Sequence, residues 1–360
     1  MAHGTKLSFG WFCPTIGDTT AFGDPSKSVP PSAELFEEVA VAADRAGFEY
    51  MLVPVSPICW DAWITAAYLA AKTTQLKFLV AIKPGFIHPV AHAKMVAAFD
   101  QITNGRIYLN MIAGLSPKDA QAEGQLADKE ARYDQLLEEV RLMKRLWTEP
   151  AVEHVGKYYE VHGPSITPSP YQQPFPKFFL GGGSEQALDI SAEHSDQHIF
   201  WGDYPERIAE QIADIRGRAA KHGRGDKIEF AMRLQIICRE NEADAWAAAD
   251  ELIASADQLG SGNLANYKDK TDSAANDRMV ALSSTVGRKM TPHLWTGITE
   301  VRPGAGVAVV GNPEQVAAQL QEFVDAGCSG FCLSGFPHAE EAERFGRLVM
   351  PLMREPALAN

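Results

Sequence analysis

Residues Lys177–Pro205, KFFLGGGSEQALDISAEHSDQHIFWGDYP, read as a buried strand (Phe178–Leu180), a glycine turn (Gly181–Gly183), a helix opening at Ser184 and a second strand (His198–Trp201). Three glycines let the backbone turn tightly and bring its N–H groups close to a ligand. Ser184 stands where a helix N-cap belongs, and a helix N-terminus gathers unpaired N–H donors and partial positive charge. Together these features make a site for a phosphate. The spacing is neither GxGxxG nor a P-loop, which disfavours a Rossmann domain or a nucleotide triphosphatase. The same residues also fit a tight turn that holds nothing.

The unit repeats on both sides of this stretch. Strand-like runs Lys6–Cys13, Tyr50–Pro54, Lys77–Ala81 and Ile107–Ala113 precede it, and Glu229–Cys238 and Gly330–Ser334 follow it. Helix-like runs separate them: Leu35, Val39, Ala42 and Ala46 mark one helical face, and Leu136, Val140, Met143 and Leu146 another. Asp203-Tyr-Pro-Glu206 reads as a capping box, and Asn312-Pro-Glu-Gln315 as a further helix start. Eight βα units in a row predict a single α/β domain over residues 1–360, a (β/α)8 TIM barrel with insertions; a doubly wound sheet is the alternative. Residues 148–176, with six prolines, read as an insertion carrying a short hairpin. Residues 257–293, rich in Ser, Gly, Asn and Asp, read as a mobile lid.

Composition narrows the function. The chain has 360 residues, 46% of them hydrophobic, as an ordinary globular protein has. A net charge of −13 argues against nucleic acid or an anionic membrane as a broad-surface partner. No apolar run is long enough to span a bilayer, and the N-terminus lacks a signal-peptide core, so a cytoplasmic location is expected. Five cysteines without paired or zinc-like spacing argue against a disulfide framework or a metal site.

In a barrel of this kind chemistry sits at the C-terminal strand ends. Those positions hold Cys13 and Thr15, Cys59, Lys83–Gly85, Ala113 with Gly114, Gly181–Ser184, Trp201, Arg233 with Gln235, and Phe336 with His338. Arg233 lies inside an apolar strand, where a guanidinium without an anion is costly. Guanidinium is also the planar, always charged donor that suits a three-oxygen anion.

The strings VAIKPG (80–85), FDQITNGRIYLNMIAG (99–114), ARYDQ (131–135), LGGGSEQA (180–187), FWGDYP (200–205), AMRLQIICRE (231–240), LWTGITEVRPGAGVAVVG (294–311) and LSGFPH (333–338) resemble, in order, the bacterial luciferase-like family. Within it the chain is most similar to the reduced-flavin-dependent alkanesulfonate monooxygenases. The resemblance implies a luciferase-like TIM barrel that takes FMN as FMNH2 from a separate NAD(P)H-dependent FMN reductase. With O2 it would oxidise a small organosulfonate to an aldehyde and sulfite. The cofactor carries the hard chemistry, and the protein supplies binding and electrostatics.

Carried over motif by motif, Gly182, Gly183 and Ser184 hold the FMN phosphate with Tyr133 beside it. Asn110 meets the ribityl chain, and Ala81 forms the ledge under the flavin ring. Trp201, Arg233, Arg302 and His338 face the substrate, and Cys59 lies near the flavin. Each has a plainer reading: a rim polar group for Asn110 and Tyr133, an internal ion pair for Arg233, a surface side chain for Arg302, a helix cap for His338, a small buried residue for Cys59 and a barrel plug for Trp201. Homodimers or homotetramers are common in the family.

The chain departs from the sulfonate members at four positions. It carries Ile16 and Gln235 where they carry histidine, Phe336 where they carry tyrosine, and Lys129 where they carry histidine. The pocket therefore keeps cations but gains an apolar wall. A luciferase-like monooxygenase acting on another organosulfur compound or organic acid, a deazaflavin-dependent oxidoreductase, and a non-catalytic flavin-binding protein remain alternatives.

Overall fold

A closed ring of eight parallel strands, wrapped by helices, emerges from the computed structural model, which describes residues 7–113, 116–125, 127–258, 274–302 and 304–354. The chain opens with β1 (Ser8–Phe12), a small hairpin of β2 (Asp18–Thr19) and β3 (Ser28–Val29), and α1 (Ala33–Ala46). It continues through β4 (Tyr50–Val53), α2 (Ala62–Ala70), β5 (Lys77–Ile82), α3 (Pro89–Thr103), β6 (Ile107–Met111), α4 (Pro117–Ala122) and α5 (Lys129–Thr148). A hairpin of β7 (Ala151–Val155) and β8 (Glu160–Pro164) leads to β9 (Phe178–Gly181), α6 (Glu185–His194), β10 (Gln197–Trp201), α7 (Pro205–Ala220), β11 (Glu229–Cys238) and α8 (Glu242–Gln258). The described chain resumes with α9 (Ala274–Val286), β12 (Leu294–Trp295), α10 (Gly297–Val301), β13 (Ala308–Gly311), α11 (Pro313–Asp325), β14 (Gly330–Ser334), α12 (His338–Leu348) and α13 (Met350–Arg354).

The ring runs β1–β4–β5–β6–β9–β10–β11–β14 and closes where β14 pairs with β1. Its strands are buried on both faces, which is why they read as unbroken apolar runs. Outward residues such as Trp11, Met51, Phe78, Leu109, Phe178 and Phe230 pack against the helices. Inward residues Tyr50, Leu52, Leu79, Tyr108, Phe179, Ile199, Ala231 and Cys332 fill the barrel. The lower barrel is thus a packed core, and only its upper end is left for a ligand.

Several local details differ from the sequence reading. β11 leaves the ring at its far end, where Gln235–Cys238 pair with β13, a strand the sequence reading did not assign. The segment 257–293, read as a mobile lid, contains α9, and its residues 259–273 lie outside the described residues. Asp203 is not the cap of a capping box: Tyr204 is the N-cap of α7 and makes no side-chain cap bond. The Asp203 carboxylate instead accepts the Tyr204 N–H and faces Arg207 and Arg278. The β7–β8 hairpin is tied to α5 by Glu138, which accepts the N–H groups of Lys157, Tyr158 and Tyr159. No helix among the described residues is long and apolar enough to cross a membrane.

Candidate functional site

Strand side chains alternate between faces, so residues two apart share one. Two residues beyond the inward core cluster, the same parity brings Ala81, Asn110, Gly181, Trp201, Arg233 and Ser334 to the inner face at the C-terminal strand ends. Ala81 is level with Asn110, and Trp201 with Arg233. Asn110 is buried, and among the described residues its Oδ1 has no hydrogen-bond partner. A buried amide oxygen left in that state is costly unless a ligand hydroxyl or N–H supplies the bond.

The glycine turn is shaped by close approaches. Gly182 has φ of 145°, and a Cβ there would lie 3.0 Å from the Ala187 Cβ and 3.8 Å from the Tyr133 hydroxyl. Tyr133, on α5, is therefore beside the turn. Ser184 caps α6, its hydroxyl accepting the Ala187 N–H at 3.3 Å. The free N–H groups of that first turn and their dipole suit an anion. Arg278, on α9, reaches over the turn, its Nη2 3.6 Å from where a Gly183 Cβ would stand. It donates to Gln211 at 2.7 Å and lies 4.0 Å from Asp203. Gly182, Gly183, His198, Trp201, Gln211 and Arg278 leave a gap of about 10 Å³, room for about one water. A phosphate thus has fitting donors here, and the gap, with Arg278 as its cationic wall, is smaller than a phosphate. His198, on the same wall, is pushed down to about 3 by burial and is neutral.

Arg233 is buried in the barrel without a carboxylate partner among the described residues, so the ion-pair alternative is not what the structure shows. It donates to Leu234 O at 2.9 Å and to Ser334 Oγ at 2.8 Å, and its guanidinium lies 4.7 Å from the Phe12 ring centre. Burial pulls its pKa below the usual arginine value.

Phe12 is also part of the wall of a cavity of about 470 Å³, bounded by the β2–β3 hairpin and the loops after β1 and β14, which Arg233 itself does not line. Phe12, Ile16, Phe22, Val29 and Phe336 give it an apolar wall, and Arg302, Asp18 and His338 are its charged or titratable lining. Arg302 stacks 5.7 Å from the Phe336 ring centre. His338 is the first residue of α12 rather than its cap, which is Pro337. Its backbone N–H donates to Asp18 Oδ2 at 2.7 Å, and its Nδ1 is 2.8 Å from Asp18 Oδ1. A carboxylate only accepts, so Nδ1 carries the proton and Nε2 is the nitrogen open to a ligand. Cys59 lies in the loop after β4, its sulfur 3.1 Å from Ser56 Oγ. Burial, and after it Cys59, pushes the Cys13 thiol up.

The structure thus brings Gly182, Gly183 and Trp201 to one gap, with Tyr133 and Ser184 beside it, and Arg302 and His338 to the cavity; Arg233 meets the cavity wall at Phe12, and Ala81, Asn110 and Cys59 line neither space. Asp18, Arg278 and Ser334 were missed. Asp18 sits in a two-residue strand with no periodic signal. Arg278 lies in the segment set aside as a lid.

A family model described as luciferase-like monooxygenase matches residues 7–330. Among solved structures, a riboflavin lyase, RcaE, with modified FMN and riboflavin is similar at 20% identity and a TM-score of 0.80, over 99% of this chain and 93% of that one. A long-chain alkane monooxygenase, LadA, is similar at 21% and 0.77, over 98% and 92%. An F420-dependent secondary alcohol dehydrogenase with an F420–acetone adduct is similar at 16% and 0.68, over 97% and 100%. At these identities the neighbours speak for the fold, while the family model covers most of the chain. The chain belongs to the luciferase-like monooxygenase family.

Proposed function

We propose that the chain is a two-component monooxygenase that uses FMNH2 and O2 to oxidise a small organosulfonate, releasing sulfite and an aldehyde. The observation that carries this reading is Arg233, a buried guanidinium without a carboxylate among the described residues, packed on Phe12, which also lines a cavity rimmed by a second arginine. When bound, reduced flavin supplies the activation of O2. The chain's own residues do the rest. Gly182, Gly183 and Ser184 hold the phosphate, Arg278 moves aside to admit it and stays at its edge as a further cation, and Tyr133 lies beside it. Asn110 Oδ1 accepts from the cofactor, and Ala81 leaves room for the ring. Arg233 and Arg302 bind the anionic head, with Trp201 as part of the wall. His338, oriented by Asp18, exchanges a proton at Nε2. Cys59 stands near the ring as a weak donor.

A separate NAD(P)H-dependent FMN reductase, a cytoplasmic setting and assembly into a homodimer or homotetramer belong to the same proposal. Exposed Ile64 and Tyr68 on α2, with Met95 and Ile102 on α3, offer an apolar face for self-association. The apolar wall at Ile16 and Phe336 supports a second reading, in which a bulkier organosulfur compound or organic acid is oxidised. The F420-dependent neighbour keeps a deazaflavin cofactor in that second reading.

The test mixes the protein with photoreduced FMN, O2 and a panel of sulfonates and measures sulfite. Sulfite from at least one sulfonate is expected. None from any of them sinks the substrate assignment, and tighter binding of reduced deazaflavin than of FMNH2 sinks the cofactor assignment.

A further inference from the structure

A chain of hydrogen bonds starts at Arg233 and ends in the segment that follows Arg302. Arg233 Nη2 donates to Ser334 Oγ at 2.8 Å. The Ser334 hydroxyl donates to Gln235 Oε1 at 2.6 Å, and Gln235 Nε2 donates to Ala305 O at 2.9 Å. The Gln235 backbone holds the same segment, its N–H donating to Val307 O at 2.9 Å.

The direction of every link is fixed. A guanidinium only donates, so Ser334 Oγ accepts from it and commits its one proton to Gln235. That orients the Gln235 amide with its oxygen toward Ser334 and its NH2 toward Ala305. Ser334 and Gln235 are both fully buried. A broken link is therefore not replaced by bulk water, and the polar group left behind is unsatisfied. Arg302, at the end of α10, lies three positions before Ala305 and rims the cavity.

We propose that Ser334 and Gln235 are positioning residues that wire buried Arg233 to Ala305, so that the anion site in the barrel and the placement of Arg302 at the cavity rim are set together. This rests on the anion-binding reading above. The neutral amide makes the wiring independent of pH. A neutral imidazole at 235 offers one acceptor and one donor, but a charged one offers two donors and opposes the Ser334 proton.

The test uses the full chain with FMN bound and octanesulfonate as the probe. Gln235→Met keeps the side-chain length and removes both bonds. Gln235→Met, Ser334→Ala and Arg302→Ala are compared singly and in pairs by calorimetry, and amide exchange at Ala305–Val307 is followed without probe. Gln235→Met is expected to weaken the probe about tenfold and leave FMN affinity unchanged. It speeds exchange at Ala305 and Gly306, and its effect with Arg302→Ala is less than additive. Gln235→His binds the probe near wild-type strength at about pH 8 and more weakly at about pH 6. Unchanged exchange, or fully additive effects, overturns the wiring. So does a Gln235→Met variant that loses FMN and probe affinity equally, which is the mark of a merely structural role. A wild-type protein that binds no octanesulfonate overturns the wiring together with the anion reading. One that binds the probe without oxidising it sinks only the oxidation reading, and the wiring then stands on the exchange and coupling results.

Discussion

Asp18 and His338, 320 positions apart, are joined by two hydrogen bonds of 2.7 and 2.8 Å, both buried. The carboxylate caps the N-terminus of α12 and orients the histidine ring in one stroke. It also fastens the β2–β3 hairpin, one wall of the cavity, to the far end of the chain. Asp18→Ala leaves a buried N–H and a ring nitrogen unpaired, at a cost of about 1–3 kcal/mol. Turnover is expected to fall at least as far as for His338→Ala. Urea unfolding and steady-state rates check this; unchanged stability contradicts it.

Gly182 and Gly183 are adjacent but not equivalent. At Gly182 the positive φ and the 3.0 Å approach to Ala187 strain any side chain, so Gly182→Ala is expected to lower Tm. At Gly183 the nearest described atoms to a Cβ are those of Arg278 and Ala274 at 3.6–3.9 Å, ordinary contacts. Gly183→Ala is therefore expected to keep its Tm yet lose about tenfold or more in FMN affinity, because the methyl occupies the phosphate's approach. Fluorescence titration with FMN reads this directly, and equal FMN affinity in Gly183→Ala removes the turn from the site.

Arg233 separates stability from function. A buried charge without a carboxylate partner costs the fold, while Arg233→Met also gives up the bonds to Leu234 O and Ser334 Oγ, so the two effects oppose and its stability is expected to stay within about 1–2 kcal/mol of wild type. Organosulfonate oxidation is expected to be lost while FMN still binds. Thermal unfolding and flavin titration on one sample decide it. A strongly destabilised Arg233→Met makes the arginine structural.

Glu139 gives a pH signature away from the cavity. It is buried on α5, accepts the Gly85 N–H at 2.6 Å and bonds the Tyr159 hydroxyl. Burial pushes it up to about 7, against the opposing pull of those two bonds. Between about 4.5 and 7 the folded state holds a proton that the unfolded state has released, so this group's contribution to stability falls as pH rises through that window. The size is at most about 3 kcal/mol. Buried His92 and His198, pushed down to about 4 and 3, act oppositely and destabilise as pH falls below about 6.5. Both histidines persist in Glu139→Gln, so the difference between that variant and wild type isolates Glu139. The gap in unfolding free energy is expected to move in the variant's favour from pH 5 to pH 8; a constant gap contradicts this.

The fold was legible because buried parallel strands leave a clear trace: FLVA, YMLV and runs such as LQIIC are mostly apolar on both faces, and Arg233 and Gln235 stand out against that background. The glycine turn was legible for a local reason, since Ser184 and Ala187 settle it within one helical turn. What escaped depends on distance in the chain. Nothing around Asp18 announces that it caps a helix starting at His338. Asp203 looks like a cap beside Pro205, but its carboxylate is turned toward Arg207 and Arg278. Gln235 reads as a lost cation, and only the structure shows it bonded to Ser334 and Ala305.

The most direct measurement is a crystal soaked with FMN and octanesulfonate. The expected result is phosphate density on the backbone of Gly182–Ser184 with Arg278 moved aside, and the sulfonate within hydrogen-bond reach of Arg233 and Arg302. Phosphate bound elsewhere, or a sulfonate that meets neither guanidinium, would contradict the assignment.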